Sequence, residues 1–277
     1  MSYYPLFDIL ENRGFVNIPN FPPNNWESTS LGTKKIYQIR TDGNNWLVNE
    51  MGDIKENTFS YYDTNNIEAL TQLNNDRAST GELALFLLRN NPLDQVLGEL
   101  PGTDVPGTYW PDWRATIGFK SETSVVSYQG EINPTPPTAT LLTFHPFIQF
   151  DNTNNYFVFI NIENKPGLRW SEMEIYLAES KKRIDSVKIR NNAVNVIPLD
   201  HYGFEPDDLP VFYCRTMAGI PFGFGKSLDS GMLSLEHTHP PGSFTLLGNR
   251  LNAQKNIKVG WSKLLDLHNK PEIVQIV

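Results

Sequence analysis

A single cysteine, Cys214, stands in 277 residues. No internal disulfide can form, and the chain is expected in a reducing compartment. Charge is sparse too, at 19% of residues, and basic charge sparser still: 23 Lys and Arg against 31 Asp and Glu leave a net charge of −8. That balance argues against a dedicated nucleic-acid binder. No apolar run approaches the roughly 18 residues that a membrane helix needs. The opening MSYYPLFDILENRGF has no early basic residue and carries Asp8 and Glu11 where a secretory signal would be apolar. The expectation is a soluble, cytoplasmic protein without membrane contact. No internal period of about 20–50 residues is present, which excludes a solenoid or propeller. A serine nucleophile elbow is missing as well. The stretch CRTMAGIPFGFGKS at 214–227 misses phosphate-loop spacing, because the glycine needed at position 220 is Ile220. It reads instead as an aromatic, glycine-rich loop packed over a sheet.

What is present is an ordinary globular composition, 39% hydrophobic, long enough for one or two domains with a real core. Residues 1–105 carry 7 basic and 14 acidic side chains, whereas 106–277 carry 16 and 17. The shift coincides with the breaker-rich GELPGTDVPGT at 98–108. A boundary is expected there, between a mixed α/β N-terminal region (1–105) and a β-rich domain with a C-terminal helix (106–277).

In the first part, residues 5–12 read as a short helix. KKIYQI (34–39) and NWLVNEM (45–51) read as strands joined by a turn at Thr41-Asp42-Gly43-Asn44, since Asp and Gly tolerate positive φ. IEALTQL (67–73) and STGELALFLLRNN (79–91) read as helices, the second opened by a Ser79/Glu82 capping box and stopped by Pro92. The second part is a succession of strands. YFVFINI (156–162) is apolar on both faces, as a central strand is. EMEIYLA (172–178) alternates, with Met173, Ile175 and Leu177 on one side and Glu172, Glu174 and Tyr176 on the other. Asn191-Asn192 marks a tight hairpin between IDSVKIR and AVNVIPL. Residues 249–268 predict a C-terminal helix with Leu251, Ile257, Trp261, Leu264 and Leu265 on one face. The fold class is therefore α+β, predominantly antiparallel β, a sandwich or a strongly bent sheet.

Two constellations carry chemistry. In YWPDWRATIGFKSETSVVSYQGEI (109–132), Trp110, Trp113 and Tyr128 interleave with Asp112, Arg114 and Gln129. Aromatic faces beside carboxylate, guanidinium and amide groups suit sugar or nucleobase recognition, and Arg114 can clamp a carboxylate or phosphate. In LSLEHTHPPGS (233–243), His237 and His239 stand two apart at a strand end and so share a face, a common start for a Zn²⁺ or Fe²⁺ site. A third ligand would come from His145, His201 or Asp229, less readily from Cys214. The basic run KKRIDSVKIR (181–190) reads as a solvated hairpin face.

His237-Thr238-His239-Pro240 resembles the His-x-His-Pro signature of the JAMM/MPN metalloproteases, over about ten residues. The resemblance implies metal binding. It departs at Leu247 and Arg250, where that family places a serine and a metal-binding aspartate. Two functions follow as expectations. One is a non-enzymatic binding or assembly protein that holds a glycan or protein partner on an aromatic β surface. The other is a metal-dependent hydrolase or oxygenase at His237 and His239, with Glu131 or Glu236 as base.

Overall fold

The computed structural model describes residues 3–21, 32–67, 78–102, 115–144, 152–205, 208–237, 260–261, 263–265 and 274–276. The strands in the N-terminal half are β1 (Tyr4–Leu6), β2 (Arg13–Asn20), β3 (Lys34–Thr41), β4 (Trp46–Ile54), β5 (Thr58–Asp63), β6 (Ser79–Gly81), β7 (Ala84–Arg89), β8 (Val96–Leu97), β9 (Thr116–Lys120) and β10 (Val125–Gln129). Beyond them run β11 (Thr140–Phe144), β12 (Thr153–Asn161), β13 (Trp170–Leu177), β14 (Arg183–Arg190), β15 (Ala193–Pro198), β16 (Pro210–Cys214), β17 (Ile220–Ser227), β18 (Leu233–His237) and β19 (Val274–Ile276). They form four sheets with the orders β1-β7-β3-β4-β8, β10-β9-β2-β5, β14-β13-β16-β11-β19 and β18-β17-β12-β15-β6. Every described pairing is antiparallel except β11 with β19. No helix among the described residues is long and apolar enough to cross a membrane.

The four sheets enclose three main cores. The first and second enclose Leu6, Val16, Ile18, Ile36, Phe86 and Ile117. The third and fourth enclose Phe157, Phe159, Met173, Ile175, Phe212 and Cys214. Between the two sandwiches, the backs of sheets one and four bury Ile39, Leu85 and Leu87 against Val158, Ile160, Val194, Val196 and Phe222. Strand β12 thus alternates between two cores, which is why YFVFINI has no polar face. The second and fourth sheets both combine strands from either side of residue 105: β2 pairs with β9, and β6 lies beside β15.

In the second sandwich β13 pairs with β14, β12 with β15 and β11 with β16. These nested pairs are the strand order of a jelly roll. The hairpins read from sequence are present. Asp42 Oδ1 accepts from the backbone N–H groups of Asn44 and Asn45, with Gly43 at φ 92°. Asn192, at φ 48°, turns β14 into β15.

Three sequence expectations are corrected. Residues 5–12 are not helical: β1 ends at Leu6, and a tight turn bridging Ile9 and Asn12 leads into β2. Residues 79–91 form β6 and β7 rather than a helix, because β7 lies between β1 and β3 with both faces covered. A run apolar on every side reads alike as a buried helix or a buried strand, and Glu82 serves an ion pair with Arg40 instead of a capping box. The glycine-rich stretch after Gly219 is no loop but β17, paired on both sides by β12 and β18. Among the described residues the N-terminal region is therefore strands with one 3-10 turn, Thr64–Asn66. Residues 68–73 of the helix expected at 67–73 lie outside the described residues, as does most of 249–268. Of the latter, Gly260, Trp261, Lys263 and Leu264 are helical, and Trp261 is buried against Tyr176 and Phe144 on the outer face of sheet three.

Asparagine is used inside this fold as a backbone surrogate. Asn195 Oδ1 accepts from Arg190 N–H at 2.8 Å and Thr80 Oγ1 at 2.9 Å, and its Nδ2 donates to Arg190 C=O at 2.9 Å. One buried side chain so ties together strands of both sheets at the edge of the second sandwich, where no ladder hydrogen bond can reach.

Candidate functional site

The edge that Asn195 closes is also where the surface opens. A cleft of about 830 Å³ is lined by Thr80, Trp170, Asp185, Lys188, His201 and Tyr202, with Ala78 and Val187. Sheet order creates it. β14 is the last strand of sheet three and β6 the last of sheet four, so the sandwich is uncapped between them. The 3-10 turn Asp200–Tyr202 carries two of the wall residues, and Gly203 at φ 61° ends that turn.

Trp170 begins β13 and is 59% exposed. The guanidinium carbon of its cross-strand neighbour Arg190 lies 6.0 Å from the indole centroid. Asp185 Oδ2 accepts from Tyr202 O–H at 2.9 Å, and Oδ1 accepts from Ser186 N–H at 2.7 Å. Burial, then the Asp185 carboxylate, pushes the Tyr202 phenol well above its ordinary range, so it remains a donor. The His201 ring lies 4.0 Å from that of Tyr202. The wall therefore offers an exposed aromatic plate, a carboxylate with acceptor capacity left, a hydroxyl, an imidazole and an ammonium.

The residues singled out from sequence are dispersed. Trp110, Asp112, Trp113 and Arg114 lie outside the described residues. Tyr128 is buried in the first sandwich and its neighbour Gln129 is exposed, the two alternating across β10. Glu131 follows that strand, and its Oε2 is buried with no hydrogen-bond partner among the described residues. Glu236 lies on β18 opposite Gly223, and burial raises its carboxyl above the usual range. His237 ends β18 opposite Phe222, on the edge of sheet four; His239 lies outside the described residues.

Of the third ligands considered, His145 lies outside the described residues. Asp229 accepts from Asn152, His201 stands in the cleft, and Cys214 is in the core, its thiol pushed up by burial. Among the described residues no three His, Cys, Asp or Glu side chains converge on one point. Glu172 and Glu174 share a face of β13, but β13 is internal to its sheet. There Glu174 accepts from Arg215 at 3.0 Å and from Tyr176, whose phenol is pushed up to about 12 by burial and that carboxylate.

Sequence reasoning missed Trp170, Asp185 and Tyr202. A lone tryptophan in GLRWSEM and one aspartate in a basic run carry no local signal of a cleft. Comparison with family models, with curated proteins and with solved structures finds no match for this chain.

Proposed function

We propose that the protein is a non-enzymatic binding protein that holds a saccharide at the open edge of its second sandwich. The observation that carries this reading is one cleft that holds the exposed Trp170 toward one end of β14 and Asp185, Tyr202 and His201 further along it. A pyranose presents an apolar C–H face that packs on an indole, and a ring of hydroxyls that donate to a carboxylate. Among the described residues Asp185 is the one carboxylate lining the cleft, whereas glycoside hydrolysis ordinarily needs a pair. The jelly-roll order agrees with this reading only by analogy, since that fold serves several functions. Trp110 and Trp113 are kept as separate candidates for ligand recognition, and Trp110→Ala tests them.

Titration of tryptophan fluorescence against a panel of oligosaccharides is the test. Trp170→Ala is expected to weaken binding at least about tenfold, the equivalent of ~1.4 kcal/mol, with the far-UV circular dichroism unchanged. A wild-type protein silent across the panel, or a variant that binds as well as wild type, overturns the reading.

A second reading, a self-assembling subunit, is favoured by the outer face of sheet two. On its edge strand β5, Phe59 and Tyr61 are 54% and 51% exposed. They are clustered rather than scattered, with ring centroids 4.8 Å from Phe21 and 5.8 Å from Phe15. An edge strand bearing apolar side chains is a template for association. Sedimentation velocity over a concentration series is expected to show an oligomer that the double variant Phe59→Lys/Tyr61→Lys abolishes. A wild type that stays monomeric throughout removes this reading.

A further inference from the structure

We infer that the saccharide taken by the Trp170 cleft is an acidic one, a uronate-type sugar whose carboxylate is read by Lys188 and Arg190; this rests on the saccharide reading above. Charge is the first ground. The chain as a whole carries −8, yet residues 181–190 hold Lys181, Lys182, Arg183, Lys188 and Arg190 against the single Asp185. Arg183, Lys188 and Arg190 lie on β14, the strand that borders the cleft, and Lys181 and Lys182 just precede it. A run that looked like a solvated hairpin face therefore borders a wall that also exposes a tryptophan.

Unspent donors are the second ground. Lys188 is exposed and lines the cleft, and it makes no ion pair among the described residues. The Arg190 side chain lies beside Trp170, and its Nε has no hydrogen-bond partner among the described residues. Asp185 already accepts from Tyr202 and Ser186, and Glu172, the cross-strand neighbour of Lys188, accepts from the Ser186 hydroxyl. When a hexuronate ring lies flat on an indole, the carboxylate on C5 projects from the ring edge toward the rim, where cations are useful. Hydroxyls of further sugar units along the oligomer are then placed to donate to Asp185, five residues from Arg190 on β14. A phosphodiester backbone carries a negative charge at every unit and would bring like charge toward that carboxylate.

The experiment compares oligomers of galacturonate, glucuronate and mannuronate with their methyl esters, which keep ring and hydroxyls but lose the charge. Calorimetric titration of the wild-type chain at low and high salt is expected to show at least one acid form bound about tenfold tighter than its ester. The gap should narrow as salt screens the exposed cations. Lys188→Gln/Arg190→Gln is expected to bring the acid form down to the affinity of the ester and to leave the ester unchanged. Equal binding of acid and ester by the wild type overturns this inference and leaves the saccharide reading standing. Tighter binding of oligo-dT than of any uronate overturns it in favour of nucleic acid. Absence of binding to every sugar overturns both.

Discussion

Phe222→Ala is expected to lower the free energy of unfolding by about 3–5 kcal/mol. Phe222 lies on β17, fully buried in the layer between the two sandwiches. Its ring centroid is 6.4 Å from Phe7, 6.1 Å from Phe119 and 5.8 Å from Tyr128. Phe119 belongs to β9 and Tyr128 to β10 of sheet two, so this ring joins sheet four to sheet two as well as filling the middle layer. Removing it deletes the transfer free energy of a phenyl group and leaves a cavity that rigid sheets on several sides cannot collapse. Against a total stability of about 5–15 kcal/mol for a protein domain, that is a large fraction. Urea unfolding of variant and wild type reads it as a shift of midpoint at similar slope. A loss under about 1 kcal/mol would mean that the middle layer is not close-packed around this ring.

Gly219→Ala is expected to destabilise comparably, by about 1–3 kcal/mol or more, for the opposite reason. A Cβ there would lie 2.0 Å from the carbonyl oxygen of Ile160 and 3.0 Å from the Phe159 ring. The first of these is backbone in the central strand β12 and cannot swing aside. The start of β17 would have to move off β12, breaking the Ile160–Ile220 end of that ladder. It would also disturb the bond from Asn161 Nδ2 to Ala218 C=O, buried beside it. Gly98 and Gly167 supply the control. A Cβ at either meets nothing within 4 Å and their φ angles are ordinary, so alanine there should be neutral or stabilise by up to about 1 kcal/mol. Equal effects at all three positions would sink the close-approach argument.

Much of the β architecture was legible residue by residue. KKIYQI and YFVFINI carry their strand character in β-branched and aromatic side chains, and the Asp42-Gly43 and Asn191-Asn192 turns carry theirs in residues that accept positive φ. Residues 79–91 were not legible. Leu83, Leu85, Phe86, Leu87 and Leu88 satisfy a helical and an extended reading equally, and only the neighbours β1 and β3 decide between them. The stretch Ile220–Ser227 failed for a related reason: glycine weakens a strand signal, yet in β17 its absent side chain is what lets strands approach, as Gly225 does under Ser234.

The candidate cleft was hidden for a deeper reason. Thr80, Trp170, Asp185 and His201 are separated by long stretches of chain, and each alone looks like a surface residue. The sequence by itself determined what chemistry was available: one buried thiol, many strands that alternate or are apolar throughout, turns at Asp and Asn, and a basic run in an acidic chain. Only the tertiary structure decided which strands end their sheets. Alternation of side chains is local and specifies a face, but the order of strands depends on pairings between distant segments, chosen by how all the apolar faces can be buried at once. That choice left β14 and β6 as neighbouring edges with a tryptophan and a row of cations between water and the core.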